Sequence, residues 1–264
     1  MSKTVFVTGA SNVTGRAIAI AFAKAGYDVG FTYTSNEKGA IDTLKAIEGY
    51  GRKGKYYYMN TRELEPSRKT LREFAEEFGP MDVMVNNTGI TTVWRMLDVT
   101  EEDFNMLSEI NIRGTYFMMQ EAAKIMIEGG KRGSIINITS VHAEGTFFGS
   151  SVYALTKAAV SRMTKSAALE LAPYGINVNA FAPGHVDMLS SPNYSPEKIE
   201  NEKKAYAEIS KQQPLHRWQQ PEEIGECVVF LASDSARFIV GQTIFAEGGV
   251  LIPMTTDLGW EEKK

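Results

Sequence analysis

The chain has a single cysteine, Cys227, in 264 residues, so no internal disulfide is available to it. Core packing must hold the fold, which suits a reducing compartment. Cys227 lies in the apolar run Glu226-Cys227-Val228-Val229-Phe230-Leu231 and reads as a buried structural thiol. Histidine is scarce too, with three in all, and none has a second ligand type at a metal-binding spacing. No catalytic metal is expected. Long hydrophobic runs are absent: none reaches the ~18 residues that cross a bilayer, and the N-terminus lacks a basic stretch before an apolar one. A cytoplasmic protein with no membrane association is expected. A net charge of −4 supplies no global attraction for nucleic acid, and no nucleic-acid partner is expected.

What is present is an ordinary globular composition, 43% hydrophobic and 23% charged, arranged in a regular alternation. Short β-branched or apolar runs at 4–8, 28–33, 55–59, 82–85, 134–138, 176–180 and 243–246 alternate with longer amphipathic segments, beginning with helices near 15–24 and 37–49. Strands alternating with helices imply right-handed crossovers and a doubly wound parallel α/β sheet with helices on both faces. No repeat, low-complexity tract or linker divides residues 1–264, so one domain is expected. The stretch of about 188–213 breaks the rhythm and reads as a lid-like insertion.

The densest chemistry lies in Tyr153-Ala154-Leu155-Thr156-Lys157, thirteen residues after Ser140. Residues at i and i+4 share a helix face, so phenol and ammonium reach one pocket. A nearby positive charge is expected to lower the phenol pKa from ~10 towards a useful acid/base range. The first strand runs into Thr8-Gly9-Ala10-Ser11-Asn12-Val13-Thr14-Gly15, where glycines permit a tight turn and a helix N-terminus favours phosphate.

These motifs, with Asn86-Asn87-Thr88-Gly89, Asn111, Ala182-Pro183-Gly184 and the segment Gly241–Gly249, resemble the classical short-chain dehydrogenase/reductase family over essentially the whole length. The similarity implies a Rossmann-like single domain of about seven strands and NAD(P)(H)-dependent interconversion of a secondary alcohol and a carbonyl. It implies that Tyr153 exchanges the proton, Lys157 tunes Tyr153 and holds the nicotinamide ribose, Ser140 binds the reacting oxygen, and Asn111 anchors a water in a proton relay. The cofactor positions it implies are Gly9, Ser11, Asn12, Val13, Thr14, Gly15, Tyr33, Thr34, Ser35, Asn60, Thr61, Asn87, Thr88, Gly89, Tyr153, Lys157, Pro183, Gly184 and Val186. A homotetramer is implied as well, with Asn105–Ile127, Ser151–Leu171 and the segment Leu251–Trp260 as contacts.

Departures from the family pattern concentrate in the cofactor cradle. Val13 replaces a glycine, and a β-branched residue tolerates positive φ poorly, so another loop path is expected. Thr88 replaces alanine, Asn60 replaces aspartate with an amide oxygen that still accepts, and Met188 replaces threonine. Tyr33 stands where an NAD enzyme would carry an acid, and Asn12, Thr34, Ser35 and Asn36 are candidate phosphate donors, with Lys38 a candidate positive charge. NADP(H) is favoured over NAD(H).

For the substrate, His142, Trp94 and His185 are the leading candidates, with Arg95, Glu144, Phe147 and Phe148 nearby. The sequence leans to sugar or polyol dehydrogenases such as glucose 1-dehydrogenases. A 3-oxoacyl carrier-protein reductase, a hydroxysteroid dehydrogenase and a non-catalytic binding protein on this fold remain as alternatives.

Overall fold

Side-chain alternation along the first strand sorts the core into two layers, because successive residues of a strand face opposite ways. Val5 and Val7 join an apolar cluster with Ile18, Phe22, Ile224 and Val228, while Phe6 joins another with Phe74, Met84 and Met118. The computed structural model describes residues 2–189, 195–210 and 213–252. Seven strands are present, β1 (Thr4–Val7), β2 (Asp28–Tyr33), β3 (Gly54–Tyr58), β4 (Val83–Asn86), β5 (Ser134–Ile138), β6 (Asn177–Pro183) and β7 (Thr243–Ala246). They form one sheet in the order β3-β2-β1-β4-β5-β6-β7, with every adjacent pair parallel. The expected strands are all there.

Helices α1 (Val13–Lys24), α2 (Glu37–Gly49) and α8 (Pro221–Ala232) supply the first core layer. Helices α3 (Leu64–Phe78), α5 (Thr115–Glu128) and α6 (Ser151–Leu171) supply the second. Strand order reverses between β1 and β4, which opens a crevice at the carboxyl ends of β1, β4 and β5. The helical turns before α5 begin with α4 (Glu101–Leu107), capped by Thr100 and Asp103, and then widen into a π-helical segment over Ser108–Gly114. Such segments are rare and concentrate at functional sites.

The loop after β1 corrects the expectation for Val13. Gly9 is its residue with positive φ, at 69°, and Val13 already opens α1 in helical conformation. The position occupied by valine makes no left-handed demand, so no glycine is needed there. In the expected insertion, the described part carries α7 (Pro196–Ile209), whose Ser195 cap accepts from the Lys198 amide at 3.1 Å. Residues 190–194, 211 and 212 of that insertion, and 253–260 of the expected C-terminal contact, lie outside the described residues. Among the described residues no helix is long and apolar enough to cross a membrane.

Helix α1 is fixed by a close crossing with α8. A Cβ on Gly225 would lie 2.7 Å from the Ala17 carbonyl oxygen and 2.8 Å from Ala21 Cβ, so only glycine allows this approach. Gly225→Ala is expected to force the helices apart and to lower unfolding stability by about 1–3 kcal/mol, read by urea denaturation. An unchanged midpoint would show that the crossing is not tight.

Candidate active site

Lys157 lies on the buried face of α6 and is 5% exposed. Its ammonium donates to the Ile138 carbonyl at 3.1 Å, at the end of β5, and stands 5.6 Å from the centre of the Tyr153 ring. It forms no ion pair with any described residue. Burial without a counter-charge lowers its pKa from 10.5 to about 8. Gly89 makes the slot possible, because a Cβ there would come within 3.3 Å of both Lys157 Nζ and Asn111 Oδ1. Thr139 clamps the same turn of α6 to β5 by donating its hydroxyl to the Lys157 carbonyl at 2.8 Å.

Tyr153 is set into the same pocket, and the Ser140 hydroxyl hydrogen-bonds its phenol. Ser140 is held in turn on extended backbone, with its oxygen accepting from the His142 amide at 3.3 Å. The expected lowering of the Tyr153 pKa is not what this pocket produces. Burial raises it, and the Ser140 hydrogen bond opposes that only in part. The physical reason is desolvation of a phenolate, set against an ammonium that is itself weakened by burial.

Asn111 occupies the π segment and is 1% exposed. Its side chain makes three hydrogen bonds. Oδ1 accepts from the Ile90 amide at 2.9 Å, and Nδ2 donates to the Ile90 carbonyl at 2.9 Å and to Thr156 Oγ1 at 3.0 Å. Thr156 passes the link on, donating to the Tyr153 carbonyl at 2.7 Å. Both Nδ2 hydrogens are committed, which leaves the Asn111 side chain one Oδ1 lone pair at the edge of the Lys157 slot. Thr156 and Thr139 were not singled out in the sequence, because a threonine inside a helix or at a strand end carries no signal of what its hydroxyl meets.

The glycine loop is braced from β4. Thr8 Oγ1 accepts from the amides of Asn87 and Thr88, each at 2.9 Å, and Asn87 Nδ2 donates to the Thr8 and Gly9 carbonyls, each at 3.0 Å. Asn87 thus shapes the loop. A Cβ on Gly15 would sit 2.2 Å from the Gly9 oxygen, which seals the packing of α1 against the loop. Ser11 is buried, Thr14 is half-buried, and Asn12 makes no side-chain cap to α1.

Two of the candidate phosphate donors are committed elsewhere. The Thr34 hydroxyl donates to the Met59 carbonyl at 2.9 Å, and Asn36 Nδ2 donates to the Ser11 carbonyl at 3.1 Å and to Asn12 Oδ1 at 2.8 Å. Ser35 stays exposed beside them. The Tyr33 ring packs edge-on against Tyr56 and Tyr58, and its hydroxyl bonds Glu37. Asn60 gives its amide to Glu63 at 2.9 Å and accepts from the Arg62 amide at 3.2 Å, keeping one lone pair open. Thr61 is buried against Gly114, where a Cβ would approach it to 2.9 Å. Pro183 ends β6, Gly184 is pressed onto Glu247, and Val186 forms a parallel bridge with Gln219.

Among the substrate candidates, His142 and His185 come together through Phe147, at ring separations of 5.0 Å and 5.3 Å. Trp94 is placed differently. Its amide donates to the Gly149 carbonyl at 2.8 Å, and neighbouring Arg95 makes an exposed pair with Asp98 at 3.8 Å. Glu144 is exposed. Cys227 is half-buried rather than buried, and burial raises its thiol pKa.

Lys157 carries a stability cost with a defined sign. Below about 8 the side chain is charged both folded and unfolded, and the folded state bears the full penalty, about 3 kcal/mol. As pH climbs from about 8 towards 10.5 the folded side chain loses its proton first, and the penalty fades. Lys157→Met is expected to raise Tm by several degrees at pH 7, with the gap over wild type closing between pH 8 and 10.5. Calorimetry across that range checks it, and a variant less stable than wild type at pH 7 contradicts it.

A family model described as enoyl-(acyl carrier protein) reductase matches residues 9–251. A short-chain dehydrogenase/reductase of Armillaria gallica is 38% identical over 253 residues, covering 94% of this chain and 96% of that protein. A 3-oxoacyl-[acyl-carrier-protein] reductase of Staphylococcus aureus is 35% identical over 250 residues, covering 95% and 98%. The crystal structure of an acetoin dehydrogenase from Salmonella typhimurium superposes with a TM-score of 0.85 at 30% identity, covering 96% of this chain and 98% of that one. With its parallel sheet and motif order in place, the chain belongs to the short-chain dehydrogenase/reductase family, whose members are NAD(P)-dependent oxidoreductases of alcohol and carbonyl groups.

Proposed function

We propose that the enzyme interconverts a small secondary alcohol and its carbonyl, with Tyr153 as proton donor and acceptor. The observation that carries this reading is the buried Lys157 ammonium, unpaired by any carboxylate, beside a phenol that is hydrogen-bonded to Ser140. A fold gains nothing in stability from such a group, so chemistry accounts for it better.

The cradle fits a dinucleotide. Gly9 and Gly15 let the loop close tightly against α1 and the end of β4 where a Cβ would collide, and α1 begins with amides that no side chain caps. Ser11, Asn12, Val13, Thr14 and Gly15 are proposed to face the phosphates. Tyr33, Ser35, Asn60 and Thr61 would lie by the adenosine, and Thr88, Gly89, Pro183, Gly184 and Val186 by the nicotinamide. When bound, the nicotinamide supplies or accepts the hydride. The chain's own residues do the rest. Ser140 holds the reacting oxygen, Tyr153 gives it a proton in reduction and takes one in oxidation, and Lys157 supplies positive charge that favours the phenolate. The Asn111 main chain, carried on the π segment, is proposed as the next station of the proton path.

NADP(H) remains the favoured cofactor, supported by the lack of a carboxylate at Tyr33 and by the exposed Ser35. The loss of Thr34 and Asn36 as donors narrows that preference. Exposed apolar residues on α4 to α6, including Phe104, Tyr116, Leu155 and Leu169, support a homotetramer. The half-buried imidazoles and Phe147 favour a compact neutral substrate over an extended acyl chain.

Tyr153→Phe is expected to lower turnover at least about 100-fold while NADPH affinity, followed by nicotinamide fluorescence, stays within a few-fold. Oxidation should speed up as pH rises and Tyr153 ionises, and reduction should slow over the same interval, since burial has raised that pKa. Near-wild-type turnover in the phenylalanine variant contradicts the assignment, as does failure to bind either NADPH or NADH.

A further inference from the structure

A wall of rings leads from Tyr153 to the insertion helix α7. His142 meets Tyr153 edge-on at 5.1 Å, Phe147 contacts both His142 and His185, His185 stacks on Trp218 at 6.0 Å, and Trp218 contacts Tyr206 at 4.9 Å. Polar atoms interrupt this apolar surface at His142, at His185 and at Trp218, whose buried Nε1 has no partner among the described residues. His142 Nδ1 is buried and has no hydrogen-bond partner among the described residues. Unsatisfied buried polar atoms are rare in native proteins, and this one belongs to a ring in contact with the reacting tyrosine. His185 is oriented differently, with Nδ1 2.9 Å from Gln213 Nε2. With the amide donating, its proton sits on Nε2.

Charge narrows the ligand chemistry. Burial lowers the pKa of both imidazoles, and His142 is lowered further by His185 and Lys157. Both are neutral at physiological pH, suiting hydroxyl or carbonyl oxygens better than a carboxylate. Distance narrows it again. The His142 amide donates to Ser140 Oγ at 3.3 Å and its ring meets the Tyr153 ring edge-on at 5.1 Å, so the imidazole flanks the two residues that hold the reacting oxygen. A second oxygen reaches it most directly from the adjacent carbon. Phe147 and Trp218 leave apolar wall for short alkyl groups.

We propose that His142 is a specificity-determining residue that hydrogen-bonds a second oxygen on the carbon next to the reacting one, so that the substrates are compact acyloins, vicinal diols or vicinal diketones. The proposal rests on the reading of Ser140 and Tyr153 given above.

The test compares kcat/KM for acetoin, ethyl acetoacetate and 2-butanone, which carry the second oxygen on the adjacent carbon, one carbon further, and not at all. Acetoin is expected to exceed each of the others by about 30-fold or more. His142→Phe keeps the ring contacts and removes both nitrogens, and it should bring the acetoin to 2-butanone ratio to within about threefold. His142→Gln should restore part of that ratio. A merely structural role for His142 would lower all rates and leave the ratio in place, which overturns the proposal. Equal rates for wild type on the three compounds, or preference for ethyl acetoacetate, overturn it as well. The two readings fail separately. Turnover of 2-butanone that survives Tyr153→Phe removes the proton-transfer assignment, whereas an unchanged ratio in His142→Phe removes only this one.

Discussion

An ammonium kept inside the protein without a carboxylate is the constraint around which this site is built. Water solvates a lysine far better than the end of a sheet does, so every group near Lys157 Nζ must either offer a dipole or stay out of the way. The Ile138 carbonyl offers the dipole. Gly89 stays out of the way by having no side chain. Thr139 and Thr156 pin the first turns of α6 and so fix where the Lys157 side chain leaves the helix. A carboxylate in this pocket would satisfy Lys157 better and would leave it less able to act on Tyr153.

The same economy recurs one layer down. Asn86, Asn137 and Thr164 form a buried chain, Asn86 Nδ2 to Asn137 Oδ1 at 2.9 Å and Asn137 Nδ2 to Thr164 Oγ1 at 2.9 Å, tying β4, β5 and α6 together beneath the pocket. Each bond in this chain offsets part of the cost of burying amides so deep, although Asn86 Oδ1 finds no partner among the described residues. The effect of these bonds is to fix where the carboxyl ends of β4 and β5 emerge. The close crossing of α1 with α8 does the same for the glycine loop from the other face of the sheet.

Much of the architecture was legible in the residues themselves. Short apolar or β-branched runs separated by amphipathic stretches mark the strands, because a buried parallel strand must be apolar on both faces, while the edge strand β3 shows instead as a run of tyrosines. The i, i+4 spacing brought Tyr153 and Lys157 into one pocket. Three features were not legible. The π segment at Ser108–Gly114 has no compositional mark, since any helix-forming run can widen by one residue. The commitment of Thr34 and Asn36 depended on which carbonyls lay opposite them, a property of the folded loop. The direction of the Tyr153 pKa shift is hidden as well, because charge proximity shows in spacing, whereas desolvation shows only once the pocket is closed.

The most direct measurement is the ionisation of Lys157 in the free enzyme, followed by heteronuclear NMR on selectively labelled lysine, with Lys157→Met to assign the signal. A titration midpoint near 8 is the result this account requires. A midpoint at the ordinary 10.5 would mean that the ammonium is solvated or paired, and would contradict it.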